Sequence, residues 1–81
     1  MEKRLGVVGI VVEDNRMSDE INTLLHQYRR IIAGRMGLPY QERQVAVISL
    51  IVDGTMDEIS AMTGKLGKLR GVSVKSAVSK A

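Results

Sequence analysis

The sequence predicts an α+β domain of the ferredoxin-like class: β-α-β-β-α-β, a four-stranded antiparallel sheet with two helices on one face. Three observations carry this. Two β-branched apolar runs, residues 5–12 and 45–52, are each followed by apolar residues at helical spacing. The halves echo each other, Ile10-Val11-Val12 against Leu50-Ile51-Val52 and Ser18-Asp19-Glu20-Ile21 against Met56-Asp57-Glu58-Ile59. A chain of 81 residues has room for one core, so residues 1–81 form a single domain.

The first run, residues 5–12, is bounded by charge and reads as a strand. A polar turn leads to Ile21, Leu24, Leu25 and Tyr28, one apolar face of a helix with acids in its first turn. Residues 29–37 include Gly34 and Gly37, which weaken a helix. The repeat requires a strand after the helix, so residues 30–36 are read as that strand, pairing antiparallel with 44–52. Residues 37–42, with Pro39 pushing Leu38 out of helical conformation, make the hairpin loop. The run 45–52 is the third strand, ending at the turn signal Asp53-Gly54. Thr55-Met56-Asp57-Glu58 fits a capping box. Ile59, Met62, Leu66 and Leu69 form the second helix's apolar face, Gly71 suits the position past its end, and residues 72–78 are the last strand.

Strands wet on one face alternate apolar and polar residues. Here Val7, Val8, Ile10, Val11 and Val12, and likewise residues 45–52, place apolar side chains on both faces. Two helices cover only one, so a second subunit is expected on the other. Because the parity is open, the interface candidates come from both registers: Val7, Val8, Val47 and Ile48.

Composition narrows the function classes. The chain has no cysteine and one histidine, His26, which excludes thiolate chemistry and leaves a transition metal short of ligands. No nucleophile elbow, phosphate loop or dinucleotide fingerprint occurs, so no catalytic, metal or cofactor residues are assigned. No stretch approaches the about 20 apolar residues of a membrane span. Glu13-Asp14-Asn15-Arg16 stands where a signal peptide needs small residues, and a cytoplasmic protein is expected. Residues 1–64 carry seven Lys/Arg against nine Asp/Glu, whereas 65–81 carry Lys65, Lys68, Arg70, Lys75 and Lys80 and no acid. That block either complements a helix C-terminus or attracts nucleic acid. Against nucleic acid, base-stacking aromatics are missing: the chain has no Phe or Trp, and Tyr28 and Tyr40 fall in a helix and a loop. Two places suit a small anion. Arg35 lies between glycines and is accessible to a carboxylate or phosphate. The turn Asp14-Asn15-Arg16 precedes a helix start, where backbone N–H groups favour anions.

Three segments, Gly34-Arg35-Met36-Gly37-Leu38-Pro39, Ile48-Ser49-Leu50-Ile51-Val52-Asp53-Gly54-Thr55 and Leu66-Gly67-Lys68-Leu69-Arg70-Gly71-Val72-Ser73-Val74-Lys75, together resemble the small iron-only hydrogenase system regulators. The likeness covers nearly the whole chain. It implies an ACT-like form of the ferredoxin-like fold and a regulatory role. Amino-acid-sensing ACT domains carry a glycine in the first strand-helix turn; Glu13-Asp14-Asn15-Arg16-Met17 has none, which argues against that ligand. The C-terminal domain of nickel-responsive regulators is also similar, but the histidines and cysteine of its nickel site and its DNA-binding ribbon-helix-helix have no counterpart here. The expected function is a homo-oligomeric, non-enzymatic regulatory domain binding a small anionic ligand or a protein partner. The alternatives are a nucleic-acid-binding protein using the 65–81 block, and a small enzyme on the same fold.

Overall fold

Alternation along residues 4–12 sorts their side chains onto two sides of a strand, and one side finds the helices. The computed structural model describes residues 2–80. Its elements are β1 (Arg4–Val12), α1 (Ser18–Gln27), β2 (Ile32–Tyr40), β3 (Val45–Gly54), α2 (Met56–Gly67) and β4 (Val72–Val78). They form one antiparallel sheet in the order β2-β3-β1-β4. The two β-α-β halves interlace: β3 lies between β1 and β2, and β1 between β3 and β4. This is the ferredoxin-like architecture that the repeat implies.

The core is the layer between the helices and one sheet face. Val8, Ile10 and Val12 of β1 and Leu50 and Val52 of β3 meet Ile21 and Leu25 of α1 and Ile59, Met62 and Leu66 of α2, all buried. The spacing of these helix residues is the i, i+3/i+4 stripe that a helix needs to cover a sheet. α2 starts on the complete capping box: the Thr55 hydroxyl accepts from the Glu58 N–H at 3.2 Å, and the Glu58 carboxylate accepts from the Thr55 N–H at 2.9 Å. α1 starts differently. A 3-10 turn, Asn15–Met17, precedes it, and this is where the first half absorbs its two extra residues.

The chain differs from the sequence expectation between the first helix and the third strand. A 3-10 turn at Arg29–Ile31 comes first, and β2 starts at Ile32, not at residue 30. Residues 37–40, expected as loop, are strand. The turn is Gln41–Arg43, closed by Gln44 in the left-handed region at φ 55°. Pro39 is tolerated because β2 is an edge strand, where a missing N–H need not interrupt a ladder. Asp53 and Gly54 are likewise still strand, opposite Leu5 and Arg4.

A bulge in β2 decides which of its side chains face the helices. The pairing steps from Ile32↔Val52 directly to Gly34↔Ile51, leaving Ala33 as the extra residue. Beyond it every side chain of β2 changes face relative to an unbulged strand. Arg35, Gly37 and Pro39 therefore stand opposite Leu50, Ile48 and Ala46 on the helix side. Met36, Leu38 and Tyr40 stand opposite Ser49, Val47 and Val45 on the other.

Candidate functional site

The face of the sheet away from the helices is apolar. By register, β1 puts Leu5, Val7 and Val11 there, β3 puts Val47 and Ile51, and β2 puts Met36, Leu38 and Tyr40. Among the described residues nine large hydrophobics are exposed, and eight are these; the ninth, Met56, starts α2. Their exposure runs from 38 % at Val11 to 72 % at Met36. The middle of the face is shallow, because Gly9 and Ser49 pair there. Its charged residues are Lys75, opposite Gly9, and Asp53, opposite Leu5. The parity left open by the sequence is thereby settled. Val7 and Val47 belong to the open face. Val8 is buried under the helices and Ile48 packs against the core, so both leave the set of surface candidates.

The turn before α1 is closed on itself. Asp14 accepts from the Arg16 backbone N–H at 3.0 Å, and its two carboxylate oxygens accept from Arg16 Nε and Nη2, each at 3.0 Å. The hydrogen bonds from the Arg16 side chain and backbone hold the Asp14 carboxyl below the ordinary carboxylate range and raise the Arg16 guanidinium. An incoming anion meets a guanidinium already forked onto a carboxylate. Asn15 lines a small hollow of about 50 Å³ with Pro39, Tyr40 and Ala46.

Arg35 is placed very differently. The bulge turns it toward α1, where its Nη2 donates to the Asn22 side-chain oxygen at 3.0 Å. This bridge stands between two hollows. One, of about 380 Å³, has Val12, Ile21, Ala46 and Ile48 as its apolar walls, with Pro39, Ser18, Asn22 and Arg35 around them. The other, of about 320 Å³, is lined by His26 and Arg29 together with Leu25, Ile32, Asn22 and Arg35. Among the described residues, no acid lines either one. The acids of α1, Asp19 and Glu20, line a separate hollow with Leu24 and Leu69. Of the sequence candidates, Asn15 and Arg35 lie in adjoining hollows that share Pro39 and Ala46, while the Asp14–Arg16 pair lines neither. The sequence reading missed Ser18 and Asn22. Their signal was present: Ser18, Asn22 and His26 are a polar i, i+4, i+8 stripe beside the buried Ile21 and Leu25.

The basic block does not gather on one surface. Lys65 lies over the Tyr28 ring, 5.2 Å from its centroid, Lys68 caps α2, and Lys75 is on the open sheet face. No helix among the described residues is long and apolar enough to cross a membrane.

With this geometry in view, the chain's likenesses are informative. Residues 4–76 match the TM1266-like family, described as "Iron-only hydrogenase system regulator, putative". The uncharacterized protein TM1266 from Thermotoga maritima superposes with a TM-score of 0.93 at 38 % identity, over 98 % of this chain and 100 % of that one. The ACT domain from GTP pyrophosphokinase of Chlorobium tepidum superposes with a TM-score of 0.78 at 22 % identity, over 93 % and 99 %. The C-terminal domain of the MgtC protein from Mycobacterium tuberculosis does so at 0.72 with 10 % identity, over 95 % and 88 %. The last two likenesses concern the fold alone. No curated protein matches the chain. The family match over nearly the whole length, with the ACT-like sheet order, places this chain in the TM1266-like family of iron-only hydrogenase system regulators.

Proposed function

We propose that this chain is a non-catalytic regulatory module of an iron-only hydrogenase system, and that it works as a homo-oligomer joined through the open face of its sheet. The observation that carries the reading is the segregation, among the described residues, of eight of the nine exposed large hydrophobics onto that one face. Half of such a side chain left in water forgoes about 1 kcal/mol. Eight together rival the about 5–15 kcal/mol that holds a small domain folded. A second copy is the occupant that suits the face, since the two charges among its described strand residues, Lys75 and Asp53, are of opposite sign and an isologous contact presents each to the same surface. The family description and the ACT-like fold favour regulation over catalysis.

Sedimentation equilibrium across micromolar concentrations is the test. A dimer or larger species is expected for the unmodified chain, shifting to monomer in Val7→Lys with an unchanged far-UV circular dichroism spectrum. A folded monomer of the unmodified chain at high micromolar concentration overturns the reading.

A further inference from the structure

We infer that the groove between α1 and β2 binds a small organic monocarboxylate with a short apolar tail, its carboxylate on Arg35 and its tail in the hollow beneath. The site lies on the helix side of the sheet and does not depend on the self-association reading. Three features of the groove select this class. Its walls, Val12, Ile21, Ala46 and Ile48, are apolar, and its volume of about 380 Å³ is that of a small-molecule site. Its rim carries a guanidinium with five N–H donors, of which the structure engages one, on a neutral amide oxygen. A carboxylate at that place replaces a neutral acceptor by an ionised one, which strengthens the hydrogen bond and adds a second in the planar fork. The third feature is the lining of the neighbouring hollow. Arg29 extends the positive rim, and among the described residues no carboxylate in either hollow is placed to receive an ammonium group. The groove therefore takes an acid without an amine.

Gly37 lies between two residues of the groove's lining, Arg35 and Pro39. It stands opposite Ile48 on the helix side, and a Cβ built there meets nothing within 4 Å. Its φ is not in the left-handed region, so the backbone does not require glycine. A side chain there would stand on the groove's side of the sheet with open space around its Cβ.

Titration of isotope-labelled chain with 4-methylpentanoate, followed by NMR of isoleucine methyls and side-chain amides, tests the inference. Saturable shifts are expected at the Ile21 and Ile48 methyls and the Asn22 amide, with a dissociation constant on the order of 1 mM for a ligand of this size. Arg35→Gln should weaken binding about tenfold or more, and the neutral analogue 4-methylpentanamide should bind the unmodified chain as weakly. Gly37→Val adds a side chain that suits a strand on the groove's side of the sheet, opposite Ile48, so it should weaken the shifts while the rest of the spectrum stays native. The inference is overturned if no saturable shift occurs, if the amide binds as well as the acid, or if both variants bind as the unmodified chain does. It is also overturned if acetate or phosphate gives the same affinity, which would mean an anion held at His26 and Arg29 without a tail. Sedimentation of the same samples reads the self-association separately.

Discussion

Gly71 presses against Asp14: a Cβ at Gly71 would stand 2.8 Å from the Asp14 Cβ and 3.2 Å from its backbone nitrogen. Gly71 also has φ +71°, and its carbonyl accepts from the Glu13 N–H at 2.7 Å. The turn that ends α2 and the turn that starts the first helix are thus one packed corner. Gly71→Ala adds a left-handed alanine and a clash with backbone, and should cost about 2–4 kcal/mol in urea denaturation. Gly64→Ala is the matched control. It lies in α2 with nothing within 4 Å of its Cβ, and should stabilise by about 0.5–1 kcal/mol.

The capping box predicts an acid-sensitive step. Glu58 is held below the ordinary carboxylate range, first by the hydrogen bond from the Thr55 N–H and then by the Thr55 hydroxyl; Asp14 is held low by Arg16. A group with a lowered folded pKa adds stability that is complete above its ordinary value, about 4 for these carboxyls, and lost as pH falls through the folded value. The melting temperature should therefore drop below about pH 4. Glu58→Gln should flatten part of that slope. Thr55→Ala should lower the melting temperature at neutral pH by about 4–8 °C.

The two registers of β1 should respond oppositely to the same change. Val8→Lys buries a charge in the core at a cost on the order of 5 kcal/mol, comparable with the whole stability of a small domain, and should unfold the chain. Val7→Lys, one residue earlier, keeps the fold. Far-UV circular dichroism distinguishes them. A native spectrum for Val8→Lys would place the core on the wrong side of the sheet.

Dispersal of the basic block over α2, the sheet face and the chain beyond β4 predicts weak contact with nucleic acid. No retardation of duplex DNA or RNA is expected even at low salt. Strong retardation that falls with salt at a slope of about −0.9 per phosphate contacted, and that vanishes in the Lys68→Glu, Lys75→Glu double variant, would instead establish the basic block as a binding surface.

Much of the fold was legible because local chemistry and fold agree. Val72–Val78 and the capped start of α2 lie where propensity and capping put them. The β2 hairpin was less legible. Pro39 signals a loop only if the strand is central, and nothing local says that β2 lies at the sheet edge.

The candidate sites divide along the same line. Apolar residues on both faces of residues 5–12 and 45–52 were enough to imply an uncovered surface, because strand periodicity is a property of the chain alone. Which parity is covered depends on where α1 and α2 land, and only the packed structure buries Val8 and leaves Val7 exposed. Arg35 was recognisable as an accessible cation from its glycine neighbours. Its position over an apolar groove beside Asn22 comes from one bulged residue, Ala33, which turns it from the open face to the helix side. A shift of one residue exchanges the two faces of a strand, and the pair that sets the new register, Gly34 opposite Ile51, joins residues 17 positions apart in the chain.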